Sequence, residues 1–168
     1  VYSRSPKVKL YLNDKLIGEK ETGKENYTAT FDVPYEPGTL KAVNSKGKEE
    51  FVLKTAGAPA AIRLIADRSK IKACKNDLSY VKIELVDKNG NVVPETSLPV
   101  KIECTGKGTV IAGGNAAYAD MESFRSLTPN TFRGKAIAIV QPDGEKGDIQ
   151  VKVSAKGLED ASIVITAY

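Results

Sequence analysis

Ser45-Lys48, Ser69-Lys72 and Ser79-Lys82 each set a serine and a lysine three positions apart, a spacing at which a lysine can take the proton of a nucleophilic hydroxyl. That chemistry also needs S-D-N or K-T-G partners and a serine that opens a helix; neither accompanies these pairs, which read as chance matches in a lysine-rich chain. The sequence contains no histidine. A Ser-His-Asp relay is therefore excluded, and the commonest zinc ligand and proton shuttle is missing. Cys74 and Cys104 lie thirty residues apart with no Cys-x-x-Cys spacing, so no transition-metal site is expected. Cys104 shares the parity of Val100 and Ile102 in "VKIEC" and is expected in a core, whereas Cys74 sits at a turn. Whether the two pair stays open.

Carboxylates offer a second route to chemistry. Two acids opposed across a sugar at about 5 to 10 Å cleave glycosides. Glu84 and Glu103 alternate with apolar neighbours and are expected to point outward from a sheet. Glu122, in a long connection, is left without a second acid to work with. "DKNGN" (87–91) places oxygen-bearing side chains at Asp87, Asn89 and Asn91. It lacks the closing glutamate and flanking helices of a calcium loop, and a hairpin turn at Asn89-Gly90 accounts for the same residues. The glycines of "GKGTVIAGGN" match no phosphate-binding pattern. No catalytic, cofactor-binding or metal-ligating residue is thus expected, and no cofactor. There are seven tyrosines and no tryptophan, so ring-stacking platforms for sugars are few. Tyr118, near Glu122 in the long connection, is with that glutamate the candidate carbohydrate contact.

The elements that would hold these residues are strands. Period-2 alternation dominates, and no window carries an apolar stripe at helical spacing. "KVKLYL" puts Val8, Leu10 and Leu12 on one face, and Asn13-Asp14 turns the chain into "KLIGEK". "YTATFDV" predicts a strand with Tyr27, Ala29, Phe31 and Val33 inward, and Glu36-Pro37-Gly38-Thr39 predicts a type II turn, so Tyr35-Glu36 flank a corner and not a site. "GTLKAV" and "EEFVLK" follow. "KTAGAPAAIRL" reads as a boundary near Gly57. Beyond it "AIRLIAD", "SYVKIELVD", "LPVKIECT", "GTVIAGG", "GKAIAIVQ", "DIQVKVSA" and "ASIVITAY" make seven short strands, the pattern of an immunoglobulin-like sandwich. Residues 113–133 form one long, poorly patterned connection. The fold class is all-β: two β-sandwich domains in tandem, residues 1–56 and 57–168, the second immunoglobulin-like. The opening "VYSRSPKVKLYL" already reads as strand and suggests an excised piece.

Charge excludes one further class. Lys and Arg total 25 against 21 Asp and Glu, and the excess is spread evenly, 10 against 8 in residues 1–56 and 15 against 13 in the rest. Basic residues alternate with acids along nearly every segment, which is a solvated face and not a polyanion site, so no nucleic-acid partner is expected. No stretch approaches the roughly 20 apolar residues that span a bilayer, so no membrane partner is expected.

"VYSRSPKVKLYLNDKLIG", "FDVPYEPGTLKAV" and "TAGAPAAIRL" together resemble the small β-sandwich that follows the catalytic barrel in bacterial family 2 glycoside hydrolases, especially β-galactosidases of gut Bacteroides-like organisms. "DRSKIKACKNDLSYVKIELVDKNGNVVPE", "ESF" and "FRGKAIAIVQ" resemble the terminal immunoglobulin-like domain of the same enzymes, although "VDKNGNVVP" alone is also similar to invasin-type adhesins. The resemblance implies a retaining glycosidase as the parent. Its two catalytic glutamates would lie on the barrel, and neither motif occurs here. It further implies a non-catalytic scaffold region whose partner is the parent's catalytic domain, in the periplasm or outside the cell. A carbohydrate-binding module and an adhesin-like spacer are the competing expectations.

Overall fold

The structure, a computed structural model, describes residues 1–45 and 47–168. It is all-β, and its strands form three four-stranded sheets. Two compact units divide the chain, Val1–Thr55 and Ala56–Tyr168.

In the first unit β1 (Lys7–Leu12), β2 (Lys15–Glu21), β3 (Thr39–Asn44) and β4 (Glu50–Lys54) form one antiparallel sheet in the order β2-β1-β3-β4. Alternation in β1 buries Val8, Leu10 and Leu12 on one face, as the sequence predicts. Asn13 and Asp14 both take left-handed φ angles, 49° and 63°, which a two-residue hairpin turn matched to strand twist requires.

The corner at 36–39 differs from expectation. The Thr39 amide does not close a type II turn on Glu36; it donates to Asn13 Oδ1 at 2.8 Å, while Asn13 Nδ2 donates to the Pro37 carbonyl at 3.1 Å. The hairpin asparagine therefore pins the corner from 24 residues away. Glycine at 38 follows from this: its φ is +138°, and a Cβ there would lie 1.8 Å from Asn13 Oδ1.

The expected strand over 27–33 is also not regular. Tyr27 has φ 54°, its amide donating to the Gly23 carbonyl, and this local turn throws its ring outward. Only Ala29 is fully buried, with Phe31 and Val33 half-buried. The chain start pairs with this segment instead, through the Tyr2–Thr28 bridge and reciprocal bonds between Val1 and Ala29. The layer over the sheet is thus an extended, irregular segment.

The second unit is a closed sandwich. One sheet runs β5 (Pro59–Ala66), β7 (Ser79–Asp87), β10 (Lys135–Pro142), β9 (Gly108–Gly114); the other runs β6 (Lys70–Ile71), β12 (Ala161–Ala167), β11 (Gly147–Ser154), β8 (Lys101–Gly106). All seven expected strands are present, and the two-residue β6 is an eighth. Ile62, Val81, Ile83, Leu85, Ala138 and Val140 from the first sheet meet Ile71, Ile102, Ile149, Val151, Val153 and Ile165 from the second in one core. Each fully buried aliphatic side chain there contributes about 2 kcal/mol relative to exposure. Every strand-to-strand pairing is antiparallel except β6 with β12, and an isolated parallel bridge joins Ala61 of β5 to Glu159. After β5 the chain changes sheets, and Thr166 and Tyr168 amides donate to the Ser69 and Ile71 carbonyls while Ala73 donates to Tyr168. This is the strand order of an immunoglobulin constant-type domain, with a first strand shared between the two sheets.

Candidate functional site

Catalytic carboxylates have to be free to move a proton, and the acids that the sequence singles out, Glu84, Asp87, Glu103 and Glu122, all hold hydrogen-bond or ion-pair partners. Glu84 lies on the outer face of β7, as parity predicts, but it is not solvent-exposed: its side chain is 6% accessible. Arg63 on β5 donates from Nε and Nη2 to Glu84 Oε2 at 2.9 and 2.7 Å, and Lys82 and Lys135 stand 3.7 and 4.0 Å from Oε1. Arg63 and Lys135 are its direct cross-strand partners on either side. The outward glutamate is roofed by three cations, because side chains long enough to cover it project from its own strand and from both neighbouring strands.

Asp87 is the hub of the "DKNGN" turn. Its carboxylate accepts from the amides of Gly57, Asn89 and Asn91 at 2.8, 2.9 and 2.8 Å and from Asn91 Nδ2 at 3.1 Å. These donors, Gly57 first, lower its pKa to about 2. Arg63 Nη1 donates to Gly90 O at 2.9 Å and joins this turn to the Glu84 cluster. Asp77 is lowered by the Lys72 amide and then by Arg68, Glu103 by Lys101, and Asp120 by the Glu122 amide and then by Asn115. A general acid needs the opposite, a carboxyl raised toward neutrality. These groups are arranged as structural anions.

The long connection contains the expected contact residues. It runs from Asn115 to Gly134, since Gly113 and Gly114 complete β9. It is ordered by its backbone: Gly113 donates to Phe124, Ile102 in β8 donates to Leu127, and Val100 just before β8 donates to Pro129. Asn115 Nδ2 donates to Asp120 Oδ2 at 2.6 Å and to Asn130 O at 2.9 Å, and Asp120 Oδ1 accepts from the Glu122 amide at 2.9 Å. Glu122 Oε1 accepts from Ser126 Oγ at 3.3 Å. Glu122, Asp120, Asn115 and Phe124 border a hollow of about 30 Å³, room for water and about a tenth of the smallest clefts, of ~300 Å³, that hold drug-sized ligands. Tyr118 is fully exposed and does not line it. The structure therefore keeps Glu122 and Tyr118 in one loop without bringing them to one cavity. Asn115 and Asp120, which organise the loop, went unrecognised in the sequence; an asparagine directly after a Gly-Gly strand end, five residues before an aspartate, was the signal.

The remaining candidates resolve into structural roles. Ser79 is buried and donates to the Arg68 carbonyl at 2.8 Å, while Lys82 lies on the opposite face of the same strand. Cys74 and Cys104 are free thiols; Cys104 packs against the core, and burial pushes its pKa up. Among the described residues no three of Cys, Asp and Glu gather as a metal site would need.

Comparison with known proteins accords with this geometry. Residues 62–164 match the model described as glycoside hydrolase family 2 C-terminal domain 5, and residues 1–51 match a domain of unknown function, DUF4982. A β-galactosidase of Bacteroides ovatus is 32% identical over 99% of this chain, which covers 20% of that protein. A β-glucuronidase of Formosa agariphila is 28% identical over 98% of the chain, covering 17% of its length. The crystal structure of a family 2 glycosyl hydrolase from Bacteroides cellulosilyticus superposes with a TM-score of 0.90 at 37% identity, over 99% of this chain and 22% of that one. The chain thus spans about a fifth of the length of these relatives. With the family model covering most of the second unit and relatives aligning across both, the chain belongs to the C-terminal region of the glycoside hydrolase family 2 proteins.

Proposed function

We propose that residues 1–168 are a non-catalytic accessory region of a β-galactosidase-like family 2 glycoside hydrolase. Their partner is the catalytic domain of the same polypeptide, which they stabilise or position. The observation that carries this reading is the match of residues 62–164 to the family 2 C-terminal domain in a chain that spans about a fifth of its relatives' length. Beside it, the hollow bordered by Asp120 and Glu122 has room for water and not for the sugar that glycoside cleavage sets between two carboxylates. The test is hydrolysis of aryl β-galactosides by the 168-residue chain, by the full-length protein, and by that protein lacking these residues. The expected result is no turnover by the chain, turnover by the full-length protein, and faster thermal inactivation after the deletion. Turnover by the chain alone would overturn the reading.

A second reading, a carbohydrate contact at Tyr118 and Glu122, is favoured by the full exposure of the Tyr118 ring on a loop with ordered polar groups. Titration with galactosides separates the two. A saturable signal lost in Tyr118→Ala supports a contact, and a flat titration leaves scaffolding alone.

A further inference from the structure

The two edges of the first sheet are built differently. β2 is protected: its sequence, KLIGEKE, is charged along most of its length, and its pairing with β1 shifts register between Leu10 and Tyr11. A bulge and interior charges are how edge strands are kept from pairing with other chains. β4 reads EFVLK, with no interior charge, no proline and an unbroken register against β3. Its charges stand only at its ends. A flat apolar edge of this kind is an aggregation site unless something covers it.

The side chains of β4 make the same point independently. Leu40 pairs with Leu53 and Ala42 with Phe51, and Leu40 and Ala42 in turn pair with Leu12 and Leu10. Cross-strand partners share a face, so Phe51 and Leu53 lie on the core face of the sheet, in line with the buried Leu10 and Leu12. Yet Phe51 is 68% and Leu53 56% exposed. The irregular segment sets Phe31 against Gly18 and Lys20 of β2, at the other edge of the sheet.

We infer that the β4 edge with Phe51 and Leu53 is a docking site for polypeptide of the same protein lying outside residues 1–168. This rests on the accessory reading above, because it requires the larger protein of which the relatives are examples, in which about four-fifths of the length lies outside the matched region. Area decides between that occupant and a second copy. Two β4 edges laid together would bury roughly 600 Å² in all, from a Phe, a Leu and five residues of backbone on each side, well under the ~1,200 Å² of stable pairs. A segment of the same chain avoids the translational and rotational cost of association, so a contact of two apolar side chains suffices to hold it.

The experiment places Phe51→Cys and Leu53→Cys singly in the full-length protein and measures thiol labelling by peptide-resolved mass spectrometry, native against unfolded. Labelling at both positions at least about tenfold slower in the native monomer supports the inference. Rates within about twofold of the unfolded protein overturn it, and so does slow labelling that vanishes on dilution, which would assign the edge to a second copy. Hydrogen exchange of the unsubstituted protein gives the same answer without a substitution: the outward amides of residues 50–54 are expected to exchange about tenfold or more slower than in the unfolded chain, and unprotected exchange counts against the inference. Fast labelling with a catalytically blank chain defeats only this docking site, while turnover by the chain alone defeats the accessory reading.

Discussion

The two units meet the same requirement, burial of one sheet face, in different ways. In the second, a sheet answers a sheet, and Val81, Ile83 and Leu85 of β7, Ala136, Ala138 and Val140 of β10, and Ile149, Val151 and Val153 of β11 all join one apolar core. In the first, the answering layer is an irregular segment, and full burial of hydrophobic side chains is confined to Val8, Leu10, Leu12 and Ala29. A unit of 55 residues sits near the size at which a single core is marginal. A regular second layer closes a core by itself, whereas a unit without one draws on local polar ties such as the Asn13 clamp.

Substitutions can break this contrast in order of size. Ile83→Ala, at the centre of the closed core, is expected to cost about 4 kcal/mol, read as a lowered midpoint of the second unit in denaturant melts. Glu84→Gln is expected to cost about 2 kcal/mol, less than a fully buried pair because Arg63 reaches solvent; a double-mutant cycle with Arg63→Met measures it. In the first unit Gly38→Ala is expected to cost about 1.5 kcal/mol by straining a positive φ against Asn13, and Asn13→Gly should relieve part of it in calorimetry.

A pH-bound effect follows for Asp87. Its folded pKa of about 2 lies below the ordinary value near 3.9, so its contribution is complete above pH ~4 and is lost as pH falls toward 2. Acid titration of Asp87→Asn should show a shallower loss of stability in that window. The smallest effect is expected for Phe51→Ser in the 168-residue chain, within about 0.5 kcal/mol, because the side chain is exposed there; a thermal melt checks it.

Legibility in the sequence followed the same divide. Where both faces of a strand have definite fates, as in "SYVKIELVD", parity alone located the core residues. It failed at Tyr27, where a local turn through Asn26 and Gly23 overrides the alternation of "YTATFDV", and at β6, whose two residues are too few to carry a period. Parity assigned Glu84 to the right face and said nothing of its burial, since it gives direction but not the reach of arginine and lysine around it. The loop of Tyr118 and Glu122 stood out by its length; the Asn115–Asp120–Asn130 ties that shape it cross sequence distances no periodicity encodes.

The parallel pairing of β6 with β12 carries a mechanical consequence. Tension applied between Ala56 and Tyr168 pulls these two strands past each other along their length, so the bonds from Thr166 to Ser69, Tyr168 to Ile71 and Ala73 to Tyr168 are loaded in shear and must rupture together. Unzipping a hairpin breaks such bonds one at a time. A single-molecule pulling trace of the second unit should accordingly show one force peak, lowered when Ala73, whose amide donates one of these bonds, is replaced by proline.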